Sequence, residues 1–289
     1  MKKDDLLMKP ISTYCLAVLF PLLSFNSFTS LAETQVTTPA SVEQSSQGKV
    51  VWADLYTGNV QKSLDFYTTT FGWSVKDFTE QNSRYHLLYD GKQPIAGVIE
   101  RPAQDNKSEN ALWIGSVATS NVQQSVDDAV AHNASIIFPP HDFALYGTRA
   151  VIADPQGAII AFLDLDENNT AHQGIAKKWD WAQLFSVNPQ QAVEFYKNFG
   201  YSTEQVANSQ DSFYLVKQQA LRASIVKLPA SVEQRDKWVN FVAVTDLASV
   251  LAKATAQGAT IVYQPKGELL AIISDPNGAI LGITEQEAK

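Results

Sequence analysis

The 289-residue sequence has one cysteine, Cys15, two methionines and four histidines. A lone thiol excludes an intramolecular disulfide, and its place near the start leaves the body of the chain without a thiolate metal site or a thiol nucleophile. Runs of lysine or arginine are missing, and 22 basic residues stand against 30 acidic ones for a net charge of −8. That balance removes the electrostatic footprint of a nucleic-acid binder. There is no uninterrupted apolar run of the ~20 residues that a membrane-spanning helix needs. Also absent are a Gly-x-Ser-x-Gly elbow, a phosphate-cradling glycine loop and a dinucleotide fingerprint, which leaves serine hydrolase and nucleotide-binding readings unsupported. What remains is ordinary globular material, 45% apolar and 18% charged, with the length of about two domains.

The first 32 residues have the layout of a secretory signal peptide. Lys2, Lys3 and Lys9 precede an apolar stretch from Tyr14 to Phe25, and Ser30-Leu31-Ala32 offers small residues at a cleavage site. Asp4, Asp5 and Pro21 depart from the ideal pattern and keep an uncleaved anchor open as the alternative. Cys15 precedes most of the apolar stretch, so it does not read as a lipoprotein anchor. The expectation is an exported protein, periplasmic in a two-membrane bacterium and otherwise secreted, with no membrane span after cleavage. Residues 33–47 are small and polar without periodicity and read as a flexible tether.

The remainder repeats itself. Trp52-Ala53-Asp54-Leu55-Tyr56 returns 129 residues later as Trp181-Ala182-Gln183-Leu184-Phe185, and Phe66-Tyr67 returns at the same offset as Phe195-Tyr196. Ala134-Ser135-Ile136-Ile137-Phe138 returns as Ala259-Thr260-Ile261-Val262-Tyr263, and Asp154-Pro155-Gln156-Gly157 as Asp275-Pro276-Asn277-Gly278. The shrinking offset is what loop deletions in a second copy produce. Two copies follow, residues 48–166 and 178–286, joined by a polar linker at 167–177.

Within the first copy an alternating strand, 51–57, leads through Asn59 as N-cap to an apolar stripe at Val60, Leu64, Tyr67 and Phe71, with Gly72 placed to end the helix. Strands are expected at 85–89 and 95–100, with a turn at Asp90-Gly91. The order then restarts with a strand at 112–118, a helix carrying Val122, Val126, Ala129 and Val130, and strands at 135–138, 148–153 and 158–163. The second copy repeats the entry as Asn188-Pro189 and the exit as Gly200.

A short first strand, a helix ending in Phe-Tyr-x(2,3)-Phe-Gly and an Asp-Pro-x-Gly hairpin before the last strand resemble the vicinal oxygen chelate superfamily, which holds glyoxalase I, bleomycin and fosfomycin resistance proteins and extradiol dioxygenases. The resemblance spans both copies and is nearest to the tandem glyoxalase-like hydroxylase subgroup. It implies an α+β fold of two tandem domains, each built from paired βαβββ modules that form an open curved sheet around a cavity. Such folds host unrelated activities, so function has to come from the site.

In metal-dependent members, His, Gln and Glu side chains from the first and last strands of each module hold a divalent cation. Carried over through the motifs, those positions fall on Trp52, Ile114 and Ala161 in the first copy and on Trp181, Val239 and Gly282 in the second. None can ligate a metal. The remaining position lies in the strand 95–100, where only Glu100 has a ligating side chain, and in 224–227 of the second copy. The expectation is a chain with neither metal nor other cofactor.

Strand alternation offers another use for the cavity. With Ala53 and Leu55 beneath the helix, Trp52, Asp54 and Tyr56 point into the cup, two aromatics around one polar group, which suits a flat or amphipathic organic ligand. The equivalent set is Trp181, Gln183 and Phe185, and in either copy such residues can instead fill the cup or an interface. Trp113 and Trp238 read as core or interface. His86 is placed to reach the cup and pair with Asp54, or else is structural. A buried carboxylate on an aromatic strand calls for a partner, which an aromatic or cationic ligand would supply. Trp52, Asp54, Tyr56 and His86 are therefore the candidate ligand-binding residues, and no catalytic residue is assigned. The function expected is binding or sequestering a small aromatic or amphipathic molecule, with the two domains pairing within the chain. Two alternatives stand beside it, a superfamily enzyme of lyase, isomerase or dioxygenase type using Glu100, His86 or Asp54, and a structural partner of another envelope protein.

Overall fold

A computed structural model describes residues 46–80, 83–101, 111–143, 147–164, 178–228 and 235–286. The expected signal peptide and linker lie outside them, as does all of the tether except Ser46 and Gln47. Gln44 to Lys289 form one compact unit.

The first copy runs β1 (Val50–Thr57), α1 (Val60–Phe71), β2 (Ser74–Glu80), β3 (Ser83–Asp90), β4 (Gln93–Glu100), then β5 (Leu112–Ala118), α2 (Val122–Ala131), β6 (Ser135–Phe143), β7 (Gly147–Ala153) and β8 (Ile159–Asp164). The second repeats it as β9 (Trp179–Ser186), α3 (Pro189–Lys197), β10 (Ser202–Gln205), β11 (Ser212–Lys217), β12 (Ala220–Lys227), β13 (Lys237–Val244), α4 (Leu247–Ala256), β14 (Thr260–Tyr263), β15 (Leu270–Ser274) and β16 (Ile280–Glu285). Each copy makes one eight-stranded mixed sheet, ordered β2-β3-β4-β1-β5-β8-β7-β6 and β10-β11-β12-β9-β13-β16-β15-β14. Two βαβββ modules thus meet at the antiparallel β1–β5 and β9–β13 pairs.

Local signals set the helix ends. Asn59, Asn121, Asn188 and Asp246 each accept the backbone N–H three residues on, at 2.8–3.3 Å, which satisfies one of the donors a helix start leaves open. Gly72 closes α1 at φ 72°, a left-handed conformation that glycine adopts without steric penalty. The turn after β3 falls at Gly91-Lys92, one residue later than its sequence suggests. Strand β2 has no sequence signal of its own, because Ser-Val-Lys-Asp-Phe-Thr-Glu is mostly polar and pairs only with β3 at the sheet edge.

The convex faces of the two sheets share a single core. Ala53, Leu55, Trp113 and Val117 pack there with Trp179, Ala182, Leu184 and Trp238, covered by the apolar sides of α1, α2, α3 and α4. Trp113 and Trp179 meet edge to face at 5.6 Å between centroids. Two reciprocal relays lock the copies together. Trp113 Nε1 donates to Tyr67 OH (2.7 Å), which donates to Asp275 Oδ2 (2.9 Å). Trp238 Nε1 donates to Tyr196 OH (2.8 Å), which donates to Asp154 Oδ2 (3.0 Å). Each aspartate uses its other oxygen to accept the N–H groups two and four residues on, at 2.8–2.9 Å. The Asp-Pro-x-Gly motif is therefore both a turn clamp and the other copy's hydrogen-bond partner, and the Phe-Tyr motif supplies the tyrosine. Intramolecular pairing of the domains is built from the very residues that repeat.

Where β5 crosses β13, Gly115 faces Asn240, and these two occupy the same place in their respective copies. A methyl group on Gly115 would strike Asn240 Oδ1. Nearby Val50, Val117, Phe162, Tyr196, Tyr201 and Trp238 line a cavity of about 20 Å³, room for one water and for no organic ligand.

Candidate functional site

The concave faces point away from this shared core. On the first sheet, alternation puts Trp52, Asp54 and Tyr56 of β1, Ser116 of β5, Arg149 and Val151 of β7, and Ala161 and Leu163 of β8 on that face. Three of the four expected ligand-binding residues thus share the cup. The fourth does not. On β3, Tyr85 and Leu87 face the cup while His86 points to the opposite side, where its Nδ1 lies 2.7 Å from Asp77 Oδ1. Period-2 alternation forbids His86 from reaching Asp54.

Asp54 and Arg149 form a buried ion pair, Oδ2 to Nη2 3.0 Å, at 0% and 2% exposure. Asp54 Oδ1 also accepts from Tyr85 OH (2.5 Å) and Trp52 Nε1 (3.1 Å). Arg149 donates further through Nε to Ser116 Oγ (3.2 Å) and through Nη1 to Tyr56 OH (3.2 Å), and its guanidinium lies 5.1 Å from the Phe143 ring centroid. In strand order β7 is third from β1, about 14 Å away on a flat sheet. Only the curl of the sheet lets these two side chains meet, so the pair joins the two βαβββ modules across the cup. Gly97, beside Asp54 on β4, makes room for it, since a Cβ there would collide with Tyr85 and with Asp54.

The electrostatics follow from burial and this pairing. Burial alone would lower the Arg149 pKa, but Asp54, with Tyr56 and Tyr85, raises it above the usual guanidinium value, and the side chain stays charged. Burial, reinforced by Asp54, holds the Tyr85 phenol well above the usual tyrosine range, and burial also raises Tyr56. Both hydroxyls are neutral donors at ordinary pH.

The cation that Asp54 calls for on sequence grounds is therefore Arg149 and not a ligand. The sequence flags Asp54 but misses Arg149, Tyr85, Ser116 and Phe143. One signal for Arg149 was readable. An arginine in the alternating strand Thr148-Arg149-Ala150-Val151-Ile152 has Leu270 as its counterpart, and Asp54 has Gln183, so both charges disappear together in the second copy.

The second cup is made differently. Trp181 donates through Nε1 to Ser224 Oγ at 3.0 Å, Gln183 is buried, and Phe185, Val239, Phe241 and Ile272 fill the space. The Phe241 ring lies where a side chain on Gly282 would project.

A divalent cation does not fit these donors. Trp52, Ile114 and Ala161 line the first cup without a ligating atom, and Asp54 already faces a guanidinium that would repel a metal ion. Alternation along β4 turns Glu100 to the convex side, where it is exposed, so it is not a cup ligand. Among the described residues no group of three or more His, Cys, Asp or Glu side chains is arranged for a metal. His132 Nδ1 lies 2.7 Å from Asp128 O at the end of α2, and His141 Nδ1 lies 2.8 Å from Pro139 O on the exposed edge strand β6. His172 lies outside the described residues.

Residues 49–162 match the model of the Glyoxalase/Bleomycin resistance protein/Dioxygenase superfamily. The match covers the first copy, and the second copy repeats its fold. The vicinal oxygen chelate architecture also appears in solved structures. The Mn(II)-bound glyoxalase of Novosphingobium aromaticivorans superposes with a TM-score of 0.55 at 12% identity, over 84% of this chain and 83% of that one. The 2,3-dioxygenase LapB of Pseudomonas sp. KL28 gives 0.57 at 14% identity, over 84% and 94%. Among curated proteins, CFP32 of Mycobacterium tuberculosis, provisionally named a glyoxylase, is 24% identical over 251 residues, 82% of this chain and 94% of its own. The anthracycline biosynthesis protein DnrV of Streptomyces peucetius is 22% identical over 258 residues, 82% and 93%. Both relatives are matched along nearly their whole length, so they share the tandem arrangement.

Proposed function

We propose that this vicinal oxygen chelate protein is an exported binding or sequestering module whose first cup takes a small planar aromatic molecule without covalent chemistry. The observation that carries this reading is the asymmetry between the copies. The second copy builds the same sheet with Gln183, Leu270, Phe185 and Phe241 where the first has Asp54, Arg149, Tyr56 and Ser116. The fold does not require the ion pair. Apolar replacement of a buried pair is often neutral or stabilising, so its presence in one copy asks for a reason other than stability. Half-buried Tyr56, Tyr85 and Phe143 give the first cup an aromatic wall above that charged floor, the composition of a site for a flat ligand. The name of the DnrV relative adds weight toward polycyclic aromatic ligands. An enzyme built on Asp54, His86 and Glu100 finds no support, because the first is bound to arginine and the other two lie on the far face.

Calorimetric titration with naphthalene tests the reading. One site per chain is expected, with Phe143→Ala weakening binding roughly tenfold and Phe185→Ala in the second cup leaving it unchanged. No heat of binding up to the solubility limit, or a loss confined to Phe185→Ala, would reject it.

A further inference from the structure

The first cup's floor has more donors than acceptors, and we infer that its ligand is a planar aromatic bearing a carbonyl-type oxygen, which those donors bind. This rests on the reading of that cup as a ligand site. Arg149 carries five N–H groups. Two of them donate hydrogen bonds, to Tyr56 and Ser116, while Nη2 faces Asp54 Oδ2 at 3.0 Å as an ion pair without a hydrogen bond. Tyr56 and Ser116 accept from the guanidinium, which leaves their own O–H protons without an acceptor among the described residues. Asp54 Oδ1 takes in two donors, Trp52 and Tyr85, and its Oδ2 is held by the charge of Arg149. Uncommitted donors therefore outnumber uncommitted acceptors in a floor whose Asp54, Ser116 and Arg149 are buried. Buried donors without acceptors are costly, and a ligand oxygen set among them relieves that cost.

Two further observations point the same way. The donors vanish as a set from the second copy, where Phe185, Phe241 and Leu270 hold the positions of Tyr56, Ser116 and Arg149. The spare donors also belong to the cationic partner, since both N–H groups of Arg149 Nη2 donate a hydrogen bond to no described residue, while the charge of Asp54 is already neutralised by that guanidinium. A ligand ammonium would be repelled by that guanidinium and would meet a carboxylate whose charge it already neutralises. The cationic ligand that Asp54 alone suggests is thus set aside in favour of an aromatic ketone or quinone.

Calorimetry with three probes of one size, 1,4-naphthoquinone, naphthalene and 1-naphthylamine, decides the matter. The quinone is expected to bind the full-length chain at least roughly tenfold tighter than naphthalene, and the amine no tighter than naphthalene. Tyr56→Phe removes one donor and installs the residue the second copy uses. It should weaken the quinone roughly three- to tenfold and leave naphthalene unchanged. Equal affinity for all three probes would overturn the donor assignment while leaving an aromatic site intact. A quinone preference undiminished in Tyr56→Phe would likewise overturn it. Binding of none of the three would remove the aromatic site itself.

Discussion

The buried pair of Asp54 and Arg149 makes a quantitative prediction about stability. Arg149→Leu leaves the Asp54 carboxylate at 0% exposure with only Trp52 and Tyr85 as donors. Removing one partner of a buried ion pair costs about 3–5 kcal/mol, because the other charge stays buried without its counter-ion. For a unit of this size, about 2–4 °C of melting temperature accompanies each kcal/mol, so Arg149→Leu should melt roughly 6–20 °C below the parent. The double replacement Asp54→Gln with Arg149→Leu installs the second copy's residues. With no charge left to strand, it should melt within a few degrees of the parent or above it. A thermal-denaturation cycle over the four proteins measures the coupling between the two sites, expected at about 3 kcal/mol or more. A loss below about 1 kcal/mol in Arg149→Leu, or a double variant as unstable as the two single losses added together, would refute the account of the pair.

Other consequences can be checked separately. Gly115→Ala should lose about 1–3 kcal/mol through overpacking against Asn240, and adding Asn240→Ala should restore most of it; chemical denaturation of the three variants reads the outcome. Burial raises the pKa of Tyr56, Tyr67, Tyr85, Tyr196, Tyr201 and Tyr214 above the ordinary value near 10. Their neutral forms therefore stabilise the fold fully below pH 10, and that contribution is lost as pH rises further. Phenolate absorbance should accordingly show a late step coinciding with unfolding, and not a smooth titration of all ten tyrosines in the folded protein. Mass analysis of protein recovered from the soluble envelope fraction should give a chain starting at Glu33, and a retained Met1 would contradict export with cleavage.

Much of the architecture was legible because each copy repeats its own local signals. Asn59 and Gly72 bracket α1, Asn188 starts its counterpart, which ends at Lys197 with Asn198 as cap, two residues before the expected Gly200, and β1 alternates cleanly enough to assign Trp52, Asp54 and Tyr56 to one face. What escaped was long-range. Arg149 meets Asp54 only because the sheet curls, and nothing within a window of a few residues encodes that curl. Tyr85 and His86 are adjacent on β3, and which of them enters the cup depends on a register that an edge hairpin of mixed composition does not announce. The Asp-Pro-x-Gly motif identified the family, yet its second task, accepting a hydrogen bond from the other copy's tyrosine, appears only once the copies are packed together. Comparing the copies residue by residue carries more about the site than either copy alone, since the charges at Asp54 and Arg149 are gained or lost as a pair.

The central claim is that the charged floor of the first cup serves a ligand and not the fold. Titrating 1,4-naphthoquinone into the Asp54→Gln, Arg149→Leu double variant, beside the parent protein, tests it most directly. The account predicts a variant that melts close to the parent and binds the quinone at least roughly tenfold more weakly. A folded double variant that binds the quinone as tightly as the parent would contradict it.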